Sequence, residues 1–222
     1  LYSFRGCGKY HNKLMCDECL SDKLGYDIEK IKILVHQFVT LTENGEKVKM
    51  STRKANFITL EELYHEVGKD VLRYFFIMRG MNSHLNFDIS LAKDQSDENP
   101  VFYLQYAHAR ICNIIKRAIS LNIKFNSNID LNPLNTEIEK NLINKIVDFP
   151  NLIEKAGTNL EPQSIVNYLQ ELASLFHKFY MLNKVITENN DLTQARLLLI
   201  NTTRIVIRNG LHILGISSPD RM

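Results

Sequence analysis

The 222 residues carry 27 Lys and Arg against 25 Asp and Glu, a formal net charge of +2, with 45% hydrophobic and 23% charged side chains. That is ordinary globular composition and excludes a disordered or polybasic chain. Charge is spread evenly, 14 basic against 15 acidic over residues 1–99 and 13 against 10 over 100–222, so any site for a polyanion must be a local patch. No apolar run reaches bilayer length and the first residues, Leu1-Tyr2-Ser3-Phe4-Arg5, carry no signal pattern, which predicts a cytoplasmic protein without membrane contact. A first residue of Leu instead of Met raises the expectation of a fragment.

Residues 1–30 are polar and hold three of the four cysteines. Cys7, His11, Cys16 and Cys19 have the residue types of a tetrahedral zinc site, and Cys16-x-x-Cys19 is one proper knuckle. The Cys7-x-x-x-His11 half is looser and no second close pair follows, so the expectation is reduced cysteines and no metal. Residues 31–59 read as β-structure: Ile33-Leu34-Val35 and Phe38-Val39-Thr40-Leu41 are β-branched or apolar, Asn44-Gly45 offers a hairpin turn, and Val48 resumes the pattern. From Thr59 onward nearly every signal is helical. Thr59 with Glu62 forms a capping box, Gly68 stops that helix, and Val71 to Met78 restart another before Gly80.

Pro100 opens a long helix to about Leu121, with Leu104, Ala107, Ile111, Ile114 and Ala118 at helical spacing. Thr136 and Glu139 make a second capping box, on a helix that Pro150 ends. Pro162 begins a third, with Ile165, Leu169, Leu172, Phe176 and Phe179 on one face, and the last runs from about Leu192 to Leu214 with Gly215 as its stop. The second half therefore reads as an antiparallel helix bundle.

Two features carry chemistry. Lys49-Met50-Ser51-Thr52-Arg53-Lys54 places three cations and two hydroxyls in six residues between the hairpin and a capped helix. Such a loop suits the pyrophosphate of a reacting nucleotide, because its cations offset charge that grows in the transition state; the plain alternative is a solvated basic turn. On the helix after Pro100, Tyr103, Tyr106, Arg110, Asn113 and Arg117 recur at spacings of three and four, which keeps them on one face. Rings there can stack on unpaired bases while guanidinium groups hold phosphates or base edges. The alternative is that the tyrosines close the bundle core and the arginines pair with nearby acids. Arg204 and Arg208, one turn apart, either extend a phosphate track or form a solvated face.

Lys49-Met50-Ser51 resembles the KMSKS signature loop of class I aminoacyl-tRNA synthetases, with Thr52 and Arg53 where that motif has Lys and Ser. The wider stretch resembles the arginyl-tRNA synthetase family over about residues 24–222: Phe57-Ile58-Thr59-Leu60-Glu61-Glu62-Leu63, Asn86-Phe87-Asp88-Ile89, Gln105-Tyr106-Ala107-His108-Ala109-Arg110, and the ending Gly215-Ile216-Ser217-Ser218-Pro219-Asp220-Arg221-Met222. The resemblance implies a mainly α protein: an antiparallel bundle of the anticodon-binding type over 88–222, preceded over 1–87 by a small α/β remnant of a Rossmann-like catalytic domain. It implies arginine–tRNA ligase as the parent activity, with ATP, Mg2+, arginine and arginine tRNA as partners of a monomer. Lys49, Ser51 and Arg53 are then the catalytic residues, with Met50, Thr52 and Lys54 completing the nucleotide loop. Tyr106, His108, Arg110, Arg117, Tyr180 and Met222 are the expected tRNA contacts, although Tyr180 also suits bundle packing.

Of the active-site segment that the family carries ahead of this loop, only His11 is matched. The His-x-Gly-His pair of the nucleotide cradle is absent from the 222 residues. The chain alone is therefore expected not to form arginyl-adenylate. The rival expectation is a synthetase-derived, non-catalytic RNA-binding protein.

Overall fold

The computed structural model describes residues 34, 36–48, 58–123 and 129–222. The chain divides into two compact units, Leu1–His36 and Gln37–Met222, and of the first only Leu34 and His36 are described. The zinc-type set Cys7, His11, Cys16 and Cys19 and the loop 49–54 lie outside the described residues.

Among the described residues of the second unit, the 31–59 stretch holds two short strands. Val39–Glu43 (β1) and Glu46–Lys47 (β2) pair antiparallel through Thr42↔Lys47 and Glu43↔Glu46. Asn44 and Gly45 both take positive φ, 51° and 80°, as a two-residue hairpin turn requires. Leu34 is described but lies in no strand.

One strand was not foreseen. Leu85–Asp88 (β3) pairs parallel with β1, giving the order β2-β1-β3, so the region after Thr59 is not wholly helical. Parallel strands need a crossover, here supplied by Leu60–Val67 (α1) and Lys69–Ile77 (α2). Thr59 and Glu62 form the expected capping box on α1, and Gly68, at φ 81°, separates the two helices. Asp88 then caps Ile89–Lys93 (α3) through a bond to Leu91 N.

Pro100–Ser120 (α4), Glu137–Val147 (α5), Phe149–Asn159 (α6), Gln163–Leu182 (α7) and Asn190–Ile213 (α8) form the bundle. Within the bundle, α6 departs from the sequence expectation. Pro150 does not merely end α5; it stands in the first turn of a new helix, where its missing N–H has no partner to lose. Leu104, Ile111, Leu169, Leu172, Phe176, Phe179, Ile200 and Ile207 are fully excluded from solvent and form the bundle centre. Each large side chain so buried contributes roughly 1.5–3 kcal/mol. The same core continues through Tyr74, Phe75, Phe87 and Ile89, and Gln170 bridges the layers by donating to the Tyr74 hydroxyl and to the Pro100 carbonyl.

Among the described residues one ion pair is buried. Glu139 accepts from Thr136 as the capping box and, through its other oxygen, from Arg196 Nε at 2.7 Å. Arg196 also donates from Nη1 to the Lys184 carbonyl and from Nη2 to Asn183 Oδ1. Burial pushes the Glu139 carboxyl up, but these hydrogen bonds from Thr136 and Arg196 outweigh it and hold the group below the ordinary range. The Glu139 carboxylate is therefore favoured in its charged form beside Arg196, and the pair ties α8 to the start of α5.

Candidate nucleic-acid interface

The interface is built on α4. Its start is fixed by Asn99, whose side chain accepts from Val101 N and donates to the Ala92 and Asp94 carbonyls. From there the helix turns a buried face of Val101, Leu104, Ala107 and Ile111 to the core. The next face carries the polar stripe.

Tyr106, Arg110, Asn113 and Arg117 line a cleft of about 290 Å³ together with Ala109, Ile114, Tyr180 and Met222. Five of the six expected tRNA-contacting residues thus meet at one place. The Arg110 guanidinium lies 4.6 Å from the Tyr106 ring centre and 4.9 Å from that of Tyr180, and it also donates to the Tyr106 hydroxyl. Ring faces attract the cation, so the two tyrosines orient Arg110 across the cleft. Arg117, further along, is exposed. Tyr180 is 37% exposed, with its ring stacked 6.2 Å from Phe176, so it both packs on the bundle and presents a face to solvent.

Tyr103, the first member of the stripe, turns away into a larger cleft of about 750 Å³ walled by Asp97, Glu98 and Glu171. Those acids repel a polyanion, so the smaller cleft is the candidate interface.

His177 supports the cleft from behind and was not foreseen. Its ring stacks on Tyr106 at 6.0 Å and 17°, and tilts against Tyr103 at 4.7 Å. Burial, aided by the nearby Arg110 charge, pushes its pKa down, so it serves as a neutral aromatic shim. Only its position one residue after Phe176, on the heavily apolar α7, hinted at such a place.

His108 lies elsewhere than the surface. It is 1% exposed, and its Nδ1 stands 3.0 Å from the Pro219 carbonyl. A carbonyl only accepts, so Nδ1 carries the proton, and the buried Nε2, which has no partner, is left as a bare acceptor. Burial lowers the His108 pKa despite that bond. Cys112, one turn on, has a buried free thiol that donates to Asp220 at 3.4 Å. Donor atoms of His108, Cys112 and Asp220 lie within 4.8 Å of one another. A metal there would have to take the Nδ1 proton from the Pro219 bond. It would also leave Nε2–H buried and unpaired, and Arg204 and Arg208 add positive charge nearby. As it stands, with Nε2 of His108 its unpartnered atom, the trio fastens Pro219 and Asp220 to α4.

Arg204 is engaged by Asn201 Oδ1 and Arg208 is exposed. Among the described residues no helix is long and apolar enough to cross a membrane.

The DALR anticodon binding domain matches residues 104–222, and a family described as tRNA synthetases class I (M) matches residues 13–119. The chain is 47% identical over 205 residues to an arginine–tRNA ligase of Heliobacterium modesticaldum, and 46% identical over 203 residues to one of Desulforamulus reducens. Each alignment covers 90% of this chain and 36% of the relative, so the chain spans about a third of the length of the curated relatives it matches. A crystal structure assigned as an arginyl-tRNA synthetase of Campylobacter jejuni superposes with a TM-score of 0.76 at 32% identity, covering 91% of this chain and 43% of that one. The family resemblance and the mainly α, bundle-dominated fold expected from the sequence are both borne out.

Proposed function

Because the chain belongs to the DALR anticodon-binding domain family, we propose that it is the tRNA-binding portion of an arginine–tRNA ligase. The observation that carries this reading is the convergence of Tyr106, Arg110, Arg117, Tyr180 and Met222 on one cleft. Rings there offer stacking faces to unpaired bases, Arg110 offers remaining N–H groups to a base edge, and the exposed Arg117 offers charge to a phosphate. His108 acts indirectly, by holding Pro219 and so the end of the chain. We take residues 1–87 as the catalytic remnant and 88–222 as the anticodon-binding bundle, a division that falls one residue before the end of β3, at the Asp88 cap of α3.

In the complete enzyme, the arginine carboxylate would attack the α-phosphorus of ATP and expel pyrophosphate, giving arginyl-adenylate; a hydroxyl of the tRNA's terminal ribose would then take the aminoacyl group and expel AMP. Lys49, Ser51 and Arg53 would serve the first step, with Met50, Thr52 and Lys54 shaping the loop around Mg2+-bound ATP. The 222 residues contain no His-x-Gly-His cradle, so this chain alone has no means of holding ATP against that loop.

Fluorescence anisotropy with arginine tRNA and one non-cognate tRNA tests the reading. The expected result is tighter, salt-sensitive binding of the arginine tRNA, together with no ATP–pyrophosphate exchange by the chain alone. Equal binding of both tRNAs would reduce the cleft to a general phosphate site. Exchange above the level of a Lys49→Ala, Arg53→Ala control would refute the inactivity.

A further inference from the structure

The last nine residues form a strap pinned along two helices. At its start, Arg73 Nε of α2 donates to the Leu214 carbonyl at 2.9 Å. Gly215 takes φ 70°, and a side chain there would sit 2.7 Å from Arg73 Nε. Ser217 then docks on Asp70, at the beginning of α2: its N–H donates to Oδ1 at 3.1 Å and its hydroxyl to Oδ2. Gln105 of α4 closes the knot: its Nε2, with two N–H groups to give, lies 3.0–3.2 Å from three acceptors, Asp70 Oδ2, the Ser217 carbonyl and Ser217 Oγ, so one N–H is shared. Further on, His108 holds Pro219 and Cys112 holds Asp220. The strap ends with Met222, which lines the cleft together with Tyr106, Arg110 and Tyr180.

Asp70 is thus the one acceptor on α2 that gathers three donations from strap and bundle. It touches nothing in the cleft. We infer that Asp70 is a positioning residue for RNA binding: through Ser217 and Gln105 it sets the strap, and the strap sets Met222 as one wall of the cleft. This rests on the tRNA-binding reading above and adds a residue outside the interface to it. The strap also links the cleft to α2, so RNA seated against Met222 bears on a helix of the α/β layer.

Carboxylate acceptors of N–H and O–H donors form the stronger class of hydrogen bond, and a terminal segment without them frays. The buried Cys112 thiol gives a readout independent of RNA, since loosening the strap withdraws its Asp220 partner. The experiment uses the full chain and four variants: Asp70→Ala, Ser217→Ala, deletion of Met222, and Asp70→Ala combined with that deletion. N-ethylmaleimide labelling of Cys112 is quantified on its own peptide, separating it from Cys7, Cys16 and Cys19, and affinity for arginine tRNA is measured by anisotropy.

Asp70→Ala and Ser217→Ala are expected to speed Cys112 labelling and to weaken tRNA binding about tenfold, the scale of one charge-assisted hydrogen bond. Deleting Met222 alone should weaken binding while labelling stays slow. Adding Asp70→Ala to the deletion should cost no further affinity, because Asp70 acts through that residue. Ser217→Ala removes the same link from the strap side should Asp70→Ala fail to fold. Unchanged tRNA affinity in a folded Asp70→Ala or Ser217→Ala chain overturns the inference while leaving tRNA binding itself intact. A further loss from Asp70→Ala in the deleted chain overturns it too. A parent chain that binds no tRNA removes the underlying reading and this inference with it.

Discussion

At His108 the side chain has one proton and two nitrogens to place in a nearly dry site. Nδ1–H is committed to the Pro219 carbonyl, and burial disfavours a second proton on Nε2. The folded-state pKa therefore lies below the unfolded value of about 6.5. Above that value both states are neutral and the full stability is present. As pH falls through it, the unfolded chain takes up the proton first, and stability drops until the folded pKa is passed. Charged groups around the imidazole divide in sign, with Arg204 and Arg208 lowering its pKa and Asp220 raising it. Urea midpoints at about pH 7.5 and about pH 5.5 should fall more for the parent chain than for His108→Gln, whose amide can keep the bond to Pro219 without titrating. Equal falls in both would show that His108 charges freely in the folded state. His177 shares the direction, so it stays in both chains and cancels.

Between α7 and α8 one position is packed especially closely. Gly210 on α8 faces Leu169 on α7, and a methyl group at Gly210 would meet Leu169 Cδ2 at 2.7 Å and Cδ1 at 3.0 Å. Leu169 is fully buried and cannot swing clear. Ala is worth about 1 kcal/mol over Gly in a helix interior, but overpacking costs about 1–3 kcal/mol, and here the clash should win. Gly210→Ala is expected to lower the denaturation midpoint, and the penalty should shrink in a Leu169→Val background; a stabilised Gly210→Ala chain would mean the helices part easily.

Local signals of this kind explain which elements could be read in advance. The capping boxes at Thr59 and Thr136, the helix start at Pro100 and the turn at Asn44-Gly45 are all settled within four residues. The strand Leu85–Asp88 was not legible, because its four residues become a strand only by pairing with β1, some forty residues earlier. The helix after Pro150 was missed because proline breaks one helix and opens the next with equal ease. At the cleft, the stripe of Tyr106, Arg110 and Arg117 follows from helical periodicity alone. The roles of His177, His108 and the strap do not, since Pro219 and Ser217 reach partners 111 and 147 positions away.

Over the whole molecule, a net charge of +2 provides no broad field to draw in RNA, so affinity must come from a few local contacts whose kinds differ. The exposed Arg117 is placed to meet a phosphate. Removing it should release about one counterion's worth of salt dependence, flattening the slope of log affinity against log salt by about one. Arg110 is different. Its guanidinium already lies against two tyrosine rings and donates to one of their hydroxyls, so what it presents is a fixed planar surface with a few N–H groups. Arg110→Ala should therefore weaken arginine-tRNA binding at every salt concentration, by about 1–3 kcal/mol, while leaving the slope nearly unchanged. Anisotropy titrations at four salt concentrations separate the two behaviours. If Arg110→Ala flattens the slope and Arg117→Ala does not, Arg110 reaches outward to the phosphate backbone when RNA binds, and the ring contacts are its resting place only.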